Sequence, residues 1–379
     1  MEQESAKLDI LDEFDGYMIR DTSANSSFLY LTDFEIDDPV VYLKTSEKEL
    51  LLVPPLELSR ARKEASVDEV VNMARYTEGH PGRSDEAQIK IIKGFLKENK
   101  IDKLAVPGDF PFRYAHEIGE AFEIKPVEDF VKQKRRIKTK EEIRKIKESQ
   151  KNTEEAMKHV EDILNGSEVR DSILFYRDEV LTSERLRNII QEFLIDKNCK
   201  VPIESIAASG KESSDPHSNG KGPIKANQPI IVDIFPRKNR YFGDMTRTFV
   251  KGEASEKLKE MHEAVEEALI QALDEVGDGT TTDEVHGKAC DVLEERGFDT
   301  LRKDKDIEEG FLHSTGHGVG LDLHESPRIA ENGEQIQKGM VMTIEPGLYI
   351  KDVGGVRLED MIVVEESGYR NLNSMSYEM

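Results

Sequence analysis

Apolar positions along the chain fall into two kinds of block. Short apolar, β-branched or aromatic runs at 28–31, 40–43, 50–53 and 104–106 predict strands in the first third. Between the last two, Ile89, Ile92, Phe95 and Leu96 recur at helical spacing and predict a helix over 84–99. At 131–140 the pattern gives way to a dense basic run, VKQKRRIKTK. Thr139, near its end, is followed three residues later by Glu142, a capping-box signature. It opens a long helix whose apolar face includes Ile143, Ile146, Val160 and Ile163. The boundary between a first domain, 1–131, and a second, 132–379, is placed there. The basic run reads as a solvated linker and helix lead-in rather than a docking patch for an acidic partner.

Beyond it, helical spacing predicts helices over 183–196, 256–273 and 283–296. Strand-like blocks occupy 230–235, 241–250, 341–350 and 361–364. Helices segregated from sheet-forming blocks predict an α+β fold rather than a doubly wound parallel sheet. No short-period repeat and no low-complexity tract interrupts the pattern.

Composition narrows the function. The 379 residues carry 77 acidic and 53 basic side chains, a net charge of −24, which argues against a nucleic acid or an anionic membrane as partner. Charged residues make up 34%, yet apolar blocks continue to the end, so the chain is expected to fold as a globular protein. Cys199 and Cys290 show no CxxC spacing and are too few for a disulfide framework; neither reads as a nucleophile. A reducing, cytoplasmic compartment is the expectation. The start, Met1-Glu-Gln-Glu-Ser, lacks the basic and apolar parts of a leader, and no apolar run approaches the roughly 18 residues that span a bilayer.

The chemistry lies in acids that interrupt apolar strands, where ionisation is costly unless compensated. Asp233 sits in Ile230-Ile-Val-Asp-Ile-Phe, and eleven residues on, Asp244 sits in a second block. A turn over 236–240 would bring both to one end of a hairpin. Glu345 lies in Met342-Thr-Ile-Glu-Pro-Gly, and Glu359 in Gly354-Gly-Val-Arg-Leu-Glu-Asp. A shared divalent metal site explains all four, because a cation turns mutual repulsion into coordination. His313, His317 and His324 fall within twelve residues, interleaved with glycines, and at least one of them is read as a further ligand. His313 and His317 have the spacing of HExxH zinc enzymes, but no Glu follows His313 and the glycines oppose a helix, so a zincin is rejected. Gly316-His-Gly-Val-Gly lacks the spacing of a dinucleotide loop. Carboxylates with imidazole suit two ions of the Mn, Co, Fe or Zn kind, with Mn favoured by the oxygen-rich set. Two such ions activate water and polarise a carbonyl, which implies hydrolysis.

The order Asp, eleven-residue step, Asp, then HSTGHGVG, TIEPG and GVRLED resembles the pita-bread metallopeptidases, which include prolidase, aminopeptidase P, methionine aminopeptidase and the metal-free creatinase. Residues from about 140 onward resemble the catalytic domain. Residues 1 to about 131 resemble the smaller α/β creatinase-type N-terminal domain, with Asn25 to Phe34 similar to its early strand. The resemblance implies that Asp233 chelates one ion, that Asp244 and Glu359 bridge both, and that His317 and Glu345 ligate the second. It makes His324, beside the scissile group, and Glu345, as proton shuttle, the catalytic pair. It places His217, His313 and Arg357 on the substrate, with Arg357 reaching either substrate or Glu359.

An intact ligand set disfavours creatinase and a non-catalytic peptide-binding scaffold, and the separate N-terminal domain disfavours methionine aminopeptidase. The expectation is an Xaa-Pro dipeptidase acting on Xaa-Pro peptides as a homodimer. The alternative is an aminopeptidase P that releases the residue before proline from longer peptides. One departure is Phe235-Pro-Arg, where the family has small residues, so the pocket beside that strand is expected to differ in shape.

Overall fold

The computed structural model describes residues 10–77, 84–128 and 130–379; the segment 1–5 considered above lies outside them. The chain divides into two compact units, Met1–Arg135 and Arg136–Met379.

The first unit is built on a six-stranded mixed sheet in the order Glu69–Asn72, Glu49–Val53, Val40–Thr45, Gly16–Asp21, Lys103–Pro107, Glu123–Val127. Alternation explains why its central strands read as unbroken apolar runs. Met18, Val41, Leu43, Leu50 and Leu52 enter one core, while Tyr17, Ile19, Val40, Tyr42, Leu51 and Val53 enter another, so both faces are covered. The helix expected over 84–99 forms at Asp85–Glu98, with the Ser84 side chain capping it.

Two readings are corrected here. The run 28–31, with its surroundings from Asn25 to Phe34, is not a strand but lies in a helix, Ser26–Thr32. The Asn25 side chain accepts from the amides of Ser27 and Phe28, and Asp33 closes the helix in the left-handed region at φ 51°. A short apolar run does not distinguish the two structures; the flanking cap residues do. The basic run is not a solvated linker either. Phe130–Arg136 is a helix with Val131 and Arg135 buried, and Lys138 is buried, its ammonium 2.7 Å from the Glu325 carboxylate.

The second unit consists of two halves, each a helix pair on an antiparallel sheet. In the first half, Lys140–Asn165 and Ser183–Asp196 pack on the strands Ile206–Ser209, Pro229–Ile234 and Met245–Val250. The expected capping box at Thr139 and Glu142 is present. In the second half, Glu256–Glu275 and Thr282–Glu295 pack on a five-stranded sheet that includes Gly316–Gly318, Val341–Ile344 and Asp360–Val364. This is the α+β, pita-bread arrangement that the resemblance implied. The block 241–250 breaks at Gly243-Asp244, and the block 341–350 breaks at Glu345-Pro346, so both acids stand at strand ends. The halves meet where Thr248 Oγ1 donates to the Arg357 carbonyl at 2.9 Å and the Glu359 amide donates to the Thr246 carbonyl at 3.1 Å.

Lys138 and Glu325 are 1% and 9% exposed at their side chains, so neither charge is solvated once its partner goes. Lys138→Met should therefore cost roughly 3 kcal/mol in urea unfolding, and adding Glu325→Leu should restore most of that loss. A single variant as stable as the parent would contradict the pairing.

Candidate metal centre

Strand alternation places the first acid. Ile230, Val232 and Ile234 enter the core under the helices, which turns Asp233 to the opposite face. Asp233 pairs in register with Thr246 of the antiparallel neighbour. The excursion between the two strands is a tight hairpin, Arg237–Lys238 against Tyr241–Phe242, whose turn residues Asn239 and Arg240 take positive φ. The expected hairpin therefore forms and carries Asp244 back beside Asp233.

Asp244 is held by the long helix. Its amide donates to Gln150 Oε1 and its carbonyl accepts from Gln150 Nε2, both at 2.7 Å. Ser149 donates to the Pro236 carbonyl at 3.2 Å, and Phe235, where the family has small residues, is buried. Gly243 lies against Thr153 and Gln150, leaving no room for a Cβ.

Across the seam, His317 occupies a short strand whose flanking glycines are required. A Cβ on Gly316 would strike the Thr343 carbonyl, and one on Gly318 the Ser326 carbonyl. Glu359 is buried, its Oε2 accepting from Thr246 Oγ1 at 2.8 Å. The Glu345 amide donates to the Thr315 carbonyl at 2.6 Å.

Among the described residues, ligand atoms of Asp244, His317 and Glu359 lie within 4.8 Å of one another. Glu345 stands at the edge of this group, its Oε1 3.4 Å from His317 Nε2. Asp233 also lies outside it, with Oδ2 accepting from Arg357 Nη2 at 2.7 Å and Oδ1 buried without a hydrogen-bond partner. Arg357 thus engages Asp233, not Glu359. Its other donors reach Tyr349 Oη at 3.0 Å, the Pro216 carbonyl at 3.3 Å and Thr246 Oγ1 at 3.2 Å.

The electrostatics test whether these residues suit a cation. Burial, then the charges of neighbouring acids, pushes the Asp244 and Glu359 carboxyls well above the usual range. Burial pushes Glu345 up to about 8, against the opposing pull of Arg357. His317 is held neutral, near 3, chiefly by burial. Its Nδ1 faces the Gly318 carbonyl at 3.1 Å and so carries the proton. The Nε2 lone pair is then directed at Asp244 Oδ2, 3.6 Å away, and Glu345 Oε1. Once these acids ionise, the lone pair faces carboxylate oxygens and is repelled, and the unpartnered Asp233 Oδ1 lies beside other charged acids. Divalent cations relieve both, and the donor set fits them.

The remaining predicted residues border this centre. The His324 ring is exposed and lies edge-on to the His317 ring at 4.2 Å. His313 is held near 3 by burial and then by Arg357, with Nδ1 on the Ser314 carbonyl at 2.8 Å and Nε2 on Tyr349 Oη at 2.9 Å. His217 is exposed, next to the Pro216 that receives Arg357. Gln150, Thr246 and Tyr349 were not singled out in the sequence. Polar residues on the apolar face of the long helix and at alternate positions of a buried strand were the signals available.

Acids gathered across the seam of two αβ halves, with a neutral imidazole among them, define a metal-dependent enzyme. The model of metallopeptidase family M24 matches residues 144–366, and that of the creatinase/prolidase N-terminal domain matches residues 12–137. The chain belongs to metallopeptidase family M24. Over 337 residues it is 32% identical to the Xaa-Pro dipeptidase of Pyrococcus furiosus, covering 87% of this chain and 85% of that one. Among solved structures, the Xaa-Pro dipeptidase from Bacillus anthracis matches with a TM-score of 0.84 at 27% identity, over 98% of this chain and 96% of that one. An X-Pro aminopeptidase from Thermotoga maritima MSB8 shares the fold, with a TM-score of 0.81 at 24% identity over 97% and 98%.

The raised carboxyls set a pH dependence. A folded carboxyl at about 8 binds a proton that the unfolded chain, near 4.5, has released, so the metal-free protein loses stability as pH rises between those values. The depressed imidazoles act in the opposite sense, but only below about 6.5, where the unfolded rings charge. From pH 6.5 to 8 the carboxyl effect stands alone. Calorimetry in EDTA should give a lower Tm at pH 8, and adding Mn²⁺ there should raise Tm and release protons. A Tm that climbs across that window would contradict it.

Proposed function

We propose that the chain is a dinuclear-metal Xaa-Pro dipeptidase, hydrolysing the peptide bond before proline. The observation that carries this reading is the convergence of Asp244, His317 and Glu359 within 4.8 Å, in a chain that matches an Xaa-Pro dipeptidase over 87% of its length. Asp233, Asp244, His317, Glu345 and Glu359 are the residues that would hold two divalent ions. The oxygen-rich donors favour manganese over cobalt, iron or zinc. Two free, buried thiols fit a reducing cytosol, and the family resemblance supports a homodimer, which light scattering of the purified chain checks.

When bound, the ions supply a nucleophile from water at neutral pH and polarise the scissile carbonyl. The chain's own groups do the rest. Hydrolysis adds water across the C–N bond, and the prolyl nitrogen must gain a proton to leave as an amine. Glu345, whose Oε1 stands at the edge of the cluster 3.4 Å from His317 Nε2, can accept a proton and return it to that nitrogen. His324, exposed beside His317, presents an N–H to the substrate oxygen as charge develops. Arg357 fixes Asp233, while His313 and His217 line the substrate side.

The deciding test is hydrolysis by the Mn²⁺-loaded protein of an Xaa-Pro dipeptide, an Xaa-Pro-Yaa tripeptide and a Met-Xaa peptide. Cleavage of the dipeptide alone is expected. Release of the first residue from the tripeptide would move the assignment to aminopeptidase P, and no cleavage would leave a binding scaffold. Asp244→Ala and Glu359→Ala should each remove metal binding and turnover together. His324→Ala should retain metal while kcat falls by roughly 100-fold, and a variant with full kcat would exclude His324 from the chemistry.

A further inference from the structure

Arg247 is the largest fully buried side chain among the described residues, yet the proposed chemistry does not use it. Nη1 donates to the backbone carbonyls of Thr246 at 2.9 Å and Glu359 at 2.7 Å. Nη2 donates to Asp360 Oδ1 at 2.8 Å and to the Met375 carbonyl at 3.1 Å, and Nε donates to the Ser376 carbonyl at 3.1 Å. The Tyr377 ring centre lies 4.8 Å from the guanidinium carbon. Its hydroxyl donates to Asp360 Oδ2 at 2.5 Å, an oxygen that also accepts from Asn371 Nδ2 at 2.5 Å.

Two features give this cluster a role beyond packing. Arg247 holds the carbonyls of Glu359 and Thr246, and these are the residues joined by the hydroxyl-to-carboxylate bond at the metal centre. Arg247 also comes from the first half of the catalytic unit and Asp360 from the second, and the segment that covers them spans the same division. Met375 packs against the core of the first half, Tyr377 and Met379 against that of the second.

We propose that Arg247, Asp360 and Tyr377 are positioning residues for the metal centre, and that segment 375–379 is a strap holding the two halves at the spacing the Asp244, His317 and Glu359 cluster requires. The inference rests on reading that cluster as metal-binding. A guanidinium with five acceptors in fixed directions sets the backbone of Glu359 more tightly than packing alone. Partners one bond removed from metal ligands commonly alter affinity by 10–100-fold.

The test is calorimetric titration of the chelator-stripped full chain with Mn²⁺, with apo-protein Tm measured alongside. Arg247→Lys, which cannot serve all the acceptors, should weaken Mn²⁺ binding about 10-fold. Tyr377→Phe, which keeps the ring and removes only the hydroxyl, should weaken it less but in the same direction, and carries the test if Arg247→Lys does not fold. The exposed Arg170→Lys should leave affinity unchanged. Mn²⁺ affinity within twofold of the parent in the folded variants, even with a lowered apo Tm, would overturn the strap while leaving the metal reading intact. No Mn²⁺ binding by the unmodified chain would overturn both.

Discussion

The structure depends on holding acids together where water does not screen them. Asp244 and Glu359 are 3% and 1% exposed, and Asp233 and Glu345 are close enough for their charges to raise the neighbouring carboxyls. Taking several carboxylates out of water costs several kcal/mol each. Arg357 is the cation that bears on all of them, and it is committed to Asp233. One guanidinium does not balance four carboxylates. The remaining charge can be met by protonation or by divalent cations, and ligand atoms of Asp244, His317 and Glu359 within 4.8 Å of one another suit a cation.

This constraint accounts for much of the catalytic unit. A ligand displaced by half an ångström is a poor ligand, and each acid is tied at its backbone. The long helix fixes Asp244 through both ends of the Gln150 amide, the strand pairing fixes Asp233 opposite Thr246, and Arg247 holds the carbonyl of Glu359. Two chain breaks in otherwise continuous strands, at Gly243-Asp244 and Glu345-Pro346, release the acids from the sheet so that they face the seam. The 77 acidic residues therefore divide sharply. Many sit in exposed ion pairs such as Arg113 with Glu86 and Arg170 with Asp178, each worth little. The four at the seam dictate the architecture.

The four acids were legible because each interrupts a local apolar pattern, whereas His317 was singled out among three histidines only by the family resemblance. An Asp between Val232 and Ile234, or a Glu after Met342-Thr-Ile, interrupts an apolar run that has no local reason for a charge. Their supports were not, because a threonine or glutamine suits many environments and its partner is remote in sequence. Gln150 meets Asp244 across 94 positions, and Thr246 meets Glu359 across 113. Errors in the fold have the same origin. The run 28–31 satisfies strand and helix patterns equally until Asn25 is recognised as a cap. Lys138 reads as linker until Glu325, 187 residues away, is placed beside it.

Tyr349 joins His313 to Arg357, and through it to Asp233. Nδ1 of His313 faces the Ser314 carbonyl, so it carries the proton, and Nε2 must accept. The Tyr349 hydroxyl therefore donates to His313 Nε2 and accepts from Arg357 Nη1, which fixes the direction of the whole chain from Arg357 through Tyr349 to His313. The other arm of the same guanidinium holds Asp233. One planar group thus sets both the Asp233 carboxylate and, through Tyr349, the His313 imidazole. Neither can shift without disturbing the other, and the hydroxyl orientation holds only while His313 stays neutral, as its burial beside Arg357 ensures.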